Sequence, residues 1–348
     1  LLTLITEIVF KNCIMYTKCQ RKIILKFINN NEGDLFIDEK VLNDPLDSQI
    51  QIEIDYAGIN RADILQRKGH YPPPKGESEI IGLECSGKVS KLGKLVKKFS
   101  LGDQVCAILA GGGYAEFVNV DEKQVMPLPS NLNSLEAGGL PETTLTVYEN
   151  IFNLSNFQKD ESILIHGGSS GIGTTAISIL KNYTKNLYVT AGTNQKCESC
   201  IELGATEAIN YKDLDFEEFF NEKKIKVDVI LDMVGGEYLK KNLKILNFKG
   251  RLTYIAALGG IKGEANLLHI MNKQLKISGS TLRSRTPLEK GSIVDQVQKE
   301  IWPLIEDGKY KPTIYETFKM HEVNKAHEVM EKSDHIGKIV LDIKGEQA

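Results

Sequence analysis

The chain has no apolar run of about 18 residues, the length that a membrane-crossing helix requires. It has no large charge excess of either sign: 43 Lys and Arg stand against 46 Asp and Glu, a net charge of −3. That balance gives a nucleic acid or an anionic membrane surface little to attract it, so neither is expected as a partner. Cysteine is sparse. The six thiols, Cys13, Cys19, Cys85, Cys106, Cys197 and Cys200, are scattered through 348 residues. That is not the dense framework of a small secreted domain, and it suits a reducing, cytoplasmic compartment. The four closely spaced cysteines of a closed structural zinc lobe are missing, since between Lys98 and Gly113 there is only Cys106. Internal repeats and low-complexity segments are also lacking. Leu1–Phe10 is apolar but short, broken by Glu7 and without a basic segment ahead of it, which fits a secretory signal poorly. The chain opens on Leu1 rather than Met, so its natural start can lie upstream. Residues 1–19 are set aside as an unassigned appendage.

What is present is an ordinary globular composition, 41% hydrophobic and 26% charged, long enough for two domains. From Lys22 to about Val120 short apolar or alternating runs are separated by turn residues. They are Ile23–Ile28, Leu35–Val41, Ile50–Tyr56, Glu84–Leu92, Gln104–Leu109 and Tyr114–Val120, and the spacing suggests a small barrel or sandwich. Asn60–Arg67 reads as one helix leading into the stiff turn Gly69-His70-Tyr71-Pro72-Pro73-Pro74.

From about Thr144 strands and helices alternate. Strands are expected at Ser162–His166, Leu187–Ala191, Glu207–Asn210, Val227–Asp232, Arg251–Ala257 and Leu275–Thr281. Helices are expected at Gln195–Leu203, closing at Gly204, and at Glu237–Leu246, followed by Gly250. This is the order of an α/β protein with a doubly wound, six-stranded parallel sheet. Two further helices, about Ile293–Glu306 and Val323–Lys332, and the strand Lys338–Ile343 then return to the first domain.

The most telling stretch is Ser162–Ala176. An apolar strand ends in His166-Gly167-Gly168-Ser169-Ser170-Gly171-Ile172-Gly173 and opens into a helix with Ile172, Ala176, Ile179, Leu180 and Tyr183 on one face. Strand, glycine turn and helix N-terminus together cradle a phosphate through free N–H groups and the positive end of the helix dipole. Gly171, Ile172 and Gly173 are therefore cofactor-binding candidates. Ser170 stands where the usual fingerprint has its middle glycine, so its hydroxyl is a plausible extra contact to a pyrophosphate. About 20 residues on, where NAD-binding sheets carry a ribose-binding carboxylate, the sequence is Thr190-Ala191-Gly192-Thr193-Asn194-Gln195-Lys196. There is no acid at the strand end. Gly192 leaves room, Thr193 offers a hydroxyl and Lys196 a cation, a set that accepts a 2′-phosphate and points to NADPH. The plainer alternative is that Lys196 is a solvated helix charge.

Several segments together resemble a known family. They are Tyr56–Asp63, Gly69–Pro74, Ile81–Glu84, Pro141-Glu142, His166–Gly173, Leu282–Arg285 and His335–Leu341. They are similar to the quinone oxidoreductases of the medium-chain dehydrogenase/reductase superfamily, most of all to the p53-inducible quinone oxidoreductase group. The resemblance runs from about Lys22 to Ile343. It implies a GroES-like β-barrel domain (20–143 and 282–348), a Rossmann NADPH-binding domain (144–281), NADPH as cofactor, a small quinone as substrate and a homodimer.

Zinc alcohol dehydrogenases of the superfamily hold their metal with a Cys before Arg-Thr-Asp and a His in Gly-His-Glu. Here Asn60 and Leu83 stand in those places, so no metal is expected. Without a Lewis acid the chain is poorly equipped to oxidise alcohols, whereas a quinone needs mainly orientation and hydrogen bonds to its developing oxyanion. Asn60 and Tyr71 are the catalytic candidates for those bonds. Asn60 could equally cap the helix, and Tyr71 could pack on its prolines. By resemblance Asn60, Thr146, Tyr211 and Lys338 also belong to the cofactor site, although a Thr near a helix start is often structural and Tyr211 could be surface packing. Cys197 and Cys200 lie on a helix and read as incidental. His70, His166 and His321 have no triad-like companions. Two other activities stay open, a 2-alkenal or enoyl reductase on the same scaffold and an NADPH-binding structural or RNA-binding relative.

Overall fold

A computed structural model of the protein describes residues 24–345. The appendage 1–19, with Cys13 and Cys19, lies outside the described residues, as does Ile23 of the first expected strand.

The first half is β-structure. A hairpin, β1 (Ile24–Asn31) and β2 (Asp34–Val41), precedes β3 (Gln49–Ile59), β4 (Glu84–Leu92), β5 (Gln104–Ile108), β6 (Phe117–Asp121) and β7 (Val125–Pro127). These join two strands from the far end of the chain, β14 (Ile314–Lys319) and β15 (Lys338–Asp342), in a seven-stranded sheet of order β14-β15-β3-β4-β5-β7, with β6 paired to β3. The helix Arg61–Arg67 follows β3 directly. The sheet curls around a core that includes Ile50, Ile52, Ile54, Val105, Tyr114 and Leu341, which is the GroES-like barrel of this α/β fold.

The second sheet is β8 (Ile163–His166), β9 (Leu187–Ala191), β10 (Glu207–Asn210), β11 (Val227–Asp232), β12 (Leu246–Tyr254) and β13 (Lys276–Gly279). Its order is β10-β9-β8-β11-β12-β13, and every pairing in it is parallel. Numbered from its first strand this is 3-2-1-4-5-6, the doubly wound dinucleotide-binding order, and its switch point lies between β8 and β11. All four residues of β8 are buried, as expected of a central parallel strand covered by helices on both faces. The helix Gly171–Leu180 that leaves it is buried at every position from Gly173 to Leu180. Burial extends beyond the one apolar face expected there to Thr174, Thr175 and Ser178, and Tyr183 lies past the helix end.

Other elements shift for identifiable reasons. The strand expected at Tyr114–Val120 starts only at Phe117, because the backbones of Gly112, Gly113 and Tyr114 donate to Ile80, Gly82 and Ile81 instead of joining the ladder. The helix expected at Glu237–Leu246 stops at Ile245, and Leu246 already pairs with Val227. The register then jumps so that Arg251 pairs with Val229, leaving Gly250 in a bulge of β12 rather than past a helix end. The helix expected at Ile293–Glu306 starts earlier, at Pro287 under the cap of Thr286, and breaks at Ile301. Pro303 has no N–H to continue it. Two strands have too weak a signature to be read from sequence: β7 is apolar but only three residues long, and β14 buries only Phe318. Among the described residues no helix is long and apolar enough to cross a membrane.

Candidate active site

The two sheets meet where the glycine turn faces the ends of β3, β4 and β15. Local chemistry shapes the turn. Ser170 caps the helix: its Oγ accepts from Gly173 N at 3.0 Å and donates to Gly167 O at 2.7 Å. The hydroxyl expected to meet a pyrophosphate is therefore already engaged in the turn. A Cβ on Gly173 would lie 2.3 Å from Gly167 O and 2.4 Å from Gly168 O, so this position admits only glycine without a shift of the turn. The N–H groups of Gly171 and Ile172, in the first turn of a ten-residue helix, have no intrahelical acceptor and point toward the positive end of the dipole. This cradle fits a dinucleotide pyrophosphate.

Opposite the turn lies a buried polar cluster drawn from four segments. Lys338, on β15, is 2% exposed. Its ammonium donates to Glu84 Oε1 at 2.6 Å, Asn60 Oδ1 at 2.7 Å and Ile59 O at 3.0 Å. Those are all three of its protons. Glu84, fully buried at the start of β4, also accepts from Asn60 Nδ2 at 2.8 Å and, through Oε2, from Glu142 N at 2.9 Å. Because a lysine only donates, Asn60 must turn Oδ1 to Lys338 and Nδ2 to Glu84. Its second Nδ2 proton has no partner among the described residues. Asn60 does sit at the N-cap position, but the local helix bond comes from its backbone N–H, which donates to Asp63 Oδ2 at 2.7 Å. The side chain is left for the cluster.

The Lys338 ammonium is thus fully engaged within the protein. What it turns toward the glycine turn is its stem, and a Cβ on Gly171 would lie 2.7 Å from Lys338 Cδ. Just before it, Gly337 N donates to Ser169 O at 2.9 Å and ties the two halves together.

Asp63 continues the network inward. Its Oδ2 accepts from Tyr114 Oη at 3.0 Å, and that hydroxyl stands 3.2 Å from His327 Nε2. Burial pushes the Asp63 carboxyl up to about 6 and His327 down to about 3, and it raises the Tyr114 phenol well above its ordinary value.

Tyr71 is half-buried, with its ring beside Arg283. Arg283, 5% exposed, donates to Tyr71 O at 2.8 Å, Ala110 O at 2.8 Å and Gln66 Oε1 at 2.6 Å. Its guanidinium also lies 5.1 Å from the Tyr71 ring centroid. The loop is therefore fixed, while the Tyr71 hydroxyl makes no hydrogen bond among the described residues. Thr146 lies near the end of the helix Pro141–Val147, half-buried, its carbonyl accepting from Asn150 Nδ2 at 2.9 Å. A π-helical turn, Tyr148–Leu154, follows.

At the far end, Thr193 Oγ1 caps the helix Asn194–Leu203 by accepting from Lys196 N at 3.2 Å. The room expected over Gly192 is filled by Tyr211, since a Cβ there would meet its Oη at 2.7 Å. Lys196 Nζ donates to Ser333 O, and Arg61 Nη2 donates to Ser333 Oγ at 2.7 Å. Ser333 and Arg61 are therefore neighbours of this end. Neither was singled out in the sequence: Ser333 lies 137 residues from Lys196 and carries no local signal. Glu84 belongs to the motif Ile81–Glu84, and its one signal is an acid directly after the apolar run 80–83.

Elsewhere, His166 is buried between Thr190 Oγ1 at 3.1 Å and Asn242 Oδ1 at 2.9 Å, and Asn242 in turn donates to Asp232 at 2.8 Å. Cys197 and Cys200 are buried free thiols, both raised by burial. Among the described residues no group of three or more His, Cys, Asp or Glu is placed to hold a metal.

A curled β-sheet set against a doubly wound sheet, with a phosphate cradle facing the cleft, defines a two-part nicotinamide-dependent oxidoreductase. Residues 46–130 match the alcohol dehydrogenase GroES-like domain and residues 203–341 match a zinc-binding dehydrogenase family. The chain belongs to the medium-chain dehydrogenase/reductase superfamily. It is 29% identical over 303 residues to quinone oxidoreductase of Mus musculus, covering 85% of this chain and 90% of that protein. The solved structure of Escherichia coli quinone oxidoreductase complexed with NADPH is 27% identical, with a TM-score of 0.82 over 92% of this chain and 100% of that one. The CurK enoyl reductase is 25% identical, with a TM-score of 0.80 over 91% and 99%.

Proposed function

We propose that the protein reduces quinones, ortho-quinones in particular, with NADPH and without a metal. The observation that carries this reading is the use of Asn60, at the position where zinc relatives place a cysteine ligand. Its amide is oriented by Lys338 and Glu84 and keeps one N–H free. That N–H and the Tyr71 hydroxyl are suited to hold a quinone oxygen as negative charge develops on it. A bound nicotinamide supplies the hydride. The turn Gly171–Gly173 holds the pyrophosphate and Thr146 borders the nicotinamide end. Gly192, Thr193, Lys196 and Tyr211 frame the 2′-phosphate. The likeness to a quinone oxidoreductase complexed with NADPH supports the same choice.

In this reading residues 144–281 form the cofactor domain and 20–143 with 282–348 the catalytic one. The exposed edge strand β13 carries Ile277, and Leu267, Leu268 and Met271 lie exposed on the helix before it. We assign that edge to a homodimer, testable by sedimentation equilibrium, where a monomer at all concentrations would refute it. Four buried free thiols agree with a cytoplasmic location.

The test is turnover of 9,10-phenanthrenequinone with NADPH, compared with NADH and with a 2-alkenal acceptor. NADPH-dependent quinone reduction is expected, and Lys196→Glu should lower the preference for NADPH over NADH about 10-fold, roughly 1.4 kcal/mol. An unchanged preference would remove the assignment of Lys196. Faster reduction of the alkenal would favour the enoyl-reductase reading, to which the CurK likeness lends weight. One zinc per chain by metal analysis would overturn the metal-free mechanism.

A further inference from the structure

Two cations from opposite sheets close on one residue. Ser333 ends the helix Val323–Lys332 in the left-handed region, with φ at 57°. Lys196 Nζ, from the helix after β9, donates to the Ser333 carbonyl. Arg61 Nη2, from the helix after β3, donates to the Ser333 hydroxyl at 2.7 Å. Both cationic heads therefore rest on neutral oxygens, and neither makes an ion pair among the described residues. The acid that acts on Arg61, Glu331, is already held by Arg67 at 3.0 Å and by Lys68. Asp334 acts on Lys196 without a bond to it, and Lys212 opposes its effect.

The donor count shows what is left. An ammonium has three N–H donors and a guanidinium five. Each side chain uses one on Ser333, and the others meet no acceptor among the described residues. Ser333 itself is exposed, so the clasp opens to solvent. Dinucleotide sheets that accept a 2′-phosphate have an arginine near the end of their second strand. Between residues 144 and 281 the sequence holds one arginine, Arg251. It is bound to Ser155 O at 2.8 Å and to Glu161 at 2.9 Å, beside the start of β8 and away from the carboxyl ends where a cofactor lies. A guanidinium for the phosphate has to come from outside this sheet.

We propose that Arg61 is that guanidinium, and that a 2′-phosphate sits between Lys196 and Arg61 in place of Ser333. This rests on the NADPH reading above. The group taken is a phosphate monoester, with three strong acceptor oxygens. Lys196 supplies a point charge, and Arg61 supplies a planar fork that matches two of those oxygens. Bonds to neutral oxygens are exchanged for charge-assisted ones, which are roughly twice as strong. The adenosine end is then gripped from both sheets. NADH has no such phosphate and leaves the clasp on Ser333.

The experiment is calorimetric titration of the whole chain with NADPH, NADH, adenosine 2′,5′-bisphosphate and 5′-AMP. The last two carry the adenosine end alone, so binding is read without turnover. The wild type should bind the bisphosphate more than about 10-fold tighter than 5′-AMP. Arg61→Gln should weaken the bisphosphate and NADPH about 10-fold, and leave 5′-AMP and NADH within about 2-fold. Arg61→Lys, which keeps the charge and loses the fork, should weaken them about 3-fold. Ser333→Ala removes the hydroxyl and leaves the guanidinium, so NADPH affinity should stay within about 2-fold. If Arg61 only fastens the last helix, Arg61→Gln weakens NADH as much as NADPH and Ser333→Ala repeats its effect; that result overturns the proposal. A preference for the bisphosphate that is lost in Lys196→Glu but intact in Arg61→Gln and Arg61→Lys overturns Arg61 alone. No preference in the wild type overturns the NADPH reading, and Arg61 with it.

Discussion

The glycine turn and the Lys338 cluster face each other across one cleft, yet they are built on opposite principles. The turn is closed by bonds three residues apart, Ser170 to Gly167 and Gly173 to Ser170. The cluster is closed by bonds spanning 254 and 278 residues, from Lys338 to Glu84 and to Asn60. A local turn forms wherever its own residues allow and needs little from the rest of the chain. The cluster exists only when β3, β4 and β15 are all in place, and its charges are desolvated by the whole fold. The turn should therefore govern cofactor binding, and the cluster should govern stability and the posture of Asn60.

The sharpest way to break this contrast is at Lys338. Lys338→Met leaves the Glu84 carboxylate buried without its cation, which costs roughly 3–5 kcal/mol. The melting temperature should fall by about 5 °C, since about 1 kcal/mol moves it by roughly 1.4 °C in a chain of this length. Adding Glu84→Gln removes the uncompensated charge and should restore about half of the loss. A double variant no more stable than the single one would show that the pair is not coupled and that the cluster is ordinary packing.

The next effect is expected at the turn. In Gly173→Ala a methyl group meets three backbone atoms within 2.5 Å, so the turn must open. NADPH affinity should fall by about 100-fold, near 2.7 kcal/mol. Stability should drop by only about 1–3 kcal/mol, the usual cost of overpacking. Isothermal titration against melting curves separates the two. A larger melting shift than that of Lys338→Met would reverse the comparison.

The same difference explains what could be read from the residues. β8 to β11, the glycine turn and the chain order of the six strands all follow from patterns each contained in about 15 consecutive residues, whereas the capping by Thr193 appears only in the fold. The bulge at Gly250 and the late start of β6 were not legible, because each depends on which distant backbone competes for its hydrogen bonds. The partner of Lys196 was invisible for the same reason: Ser333 reaches it only after the last helix has docked on the barrel. Asn60 was legible as a substitution in a motif, but the reason its amide stays clear of the helix lies in Lys338 and Glu84. Lys338 was legible as part of a motif, but its bonds to Glu84, Asn60 and Ile59 span 254 to 279 residues and carry no local signal.

Ser170 gives the smallest expected effect and the finest discrimination. From sequence its hydroxyl suits a pyrophosphate contact, yet in the fold it accepts from Gly173 N and donates to Gly167 O. Losing a capping hydroxyl costs about 1 kcal/mol in most helices. Ser170→Ala should therefore lower stability by about that amount and leave NADPH affinity within roughly 3-fold, since the N–H groups of Gly171 and Ile172 still point at the phosphate. If affinity falls by more than about 10-fold while the melting temperature is unchanged, the hydroxyl serves the ligand rather than the turn. The cradle would then be completed by a side chain as well as by backbone, and the division between a local binding element and a long-range structural one would no longer hold at Ser170.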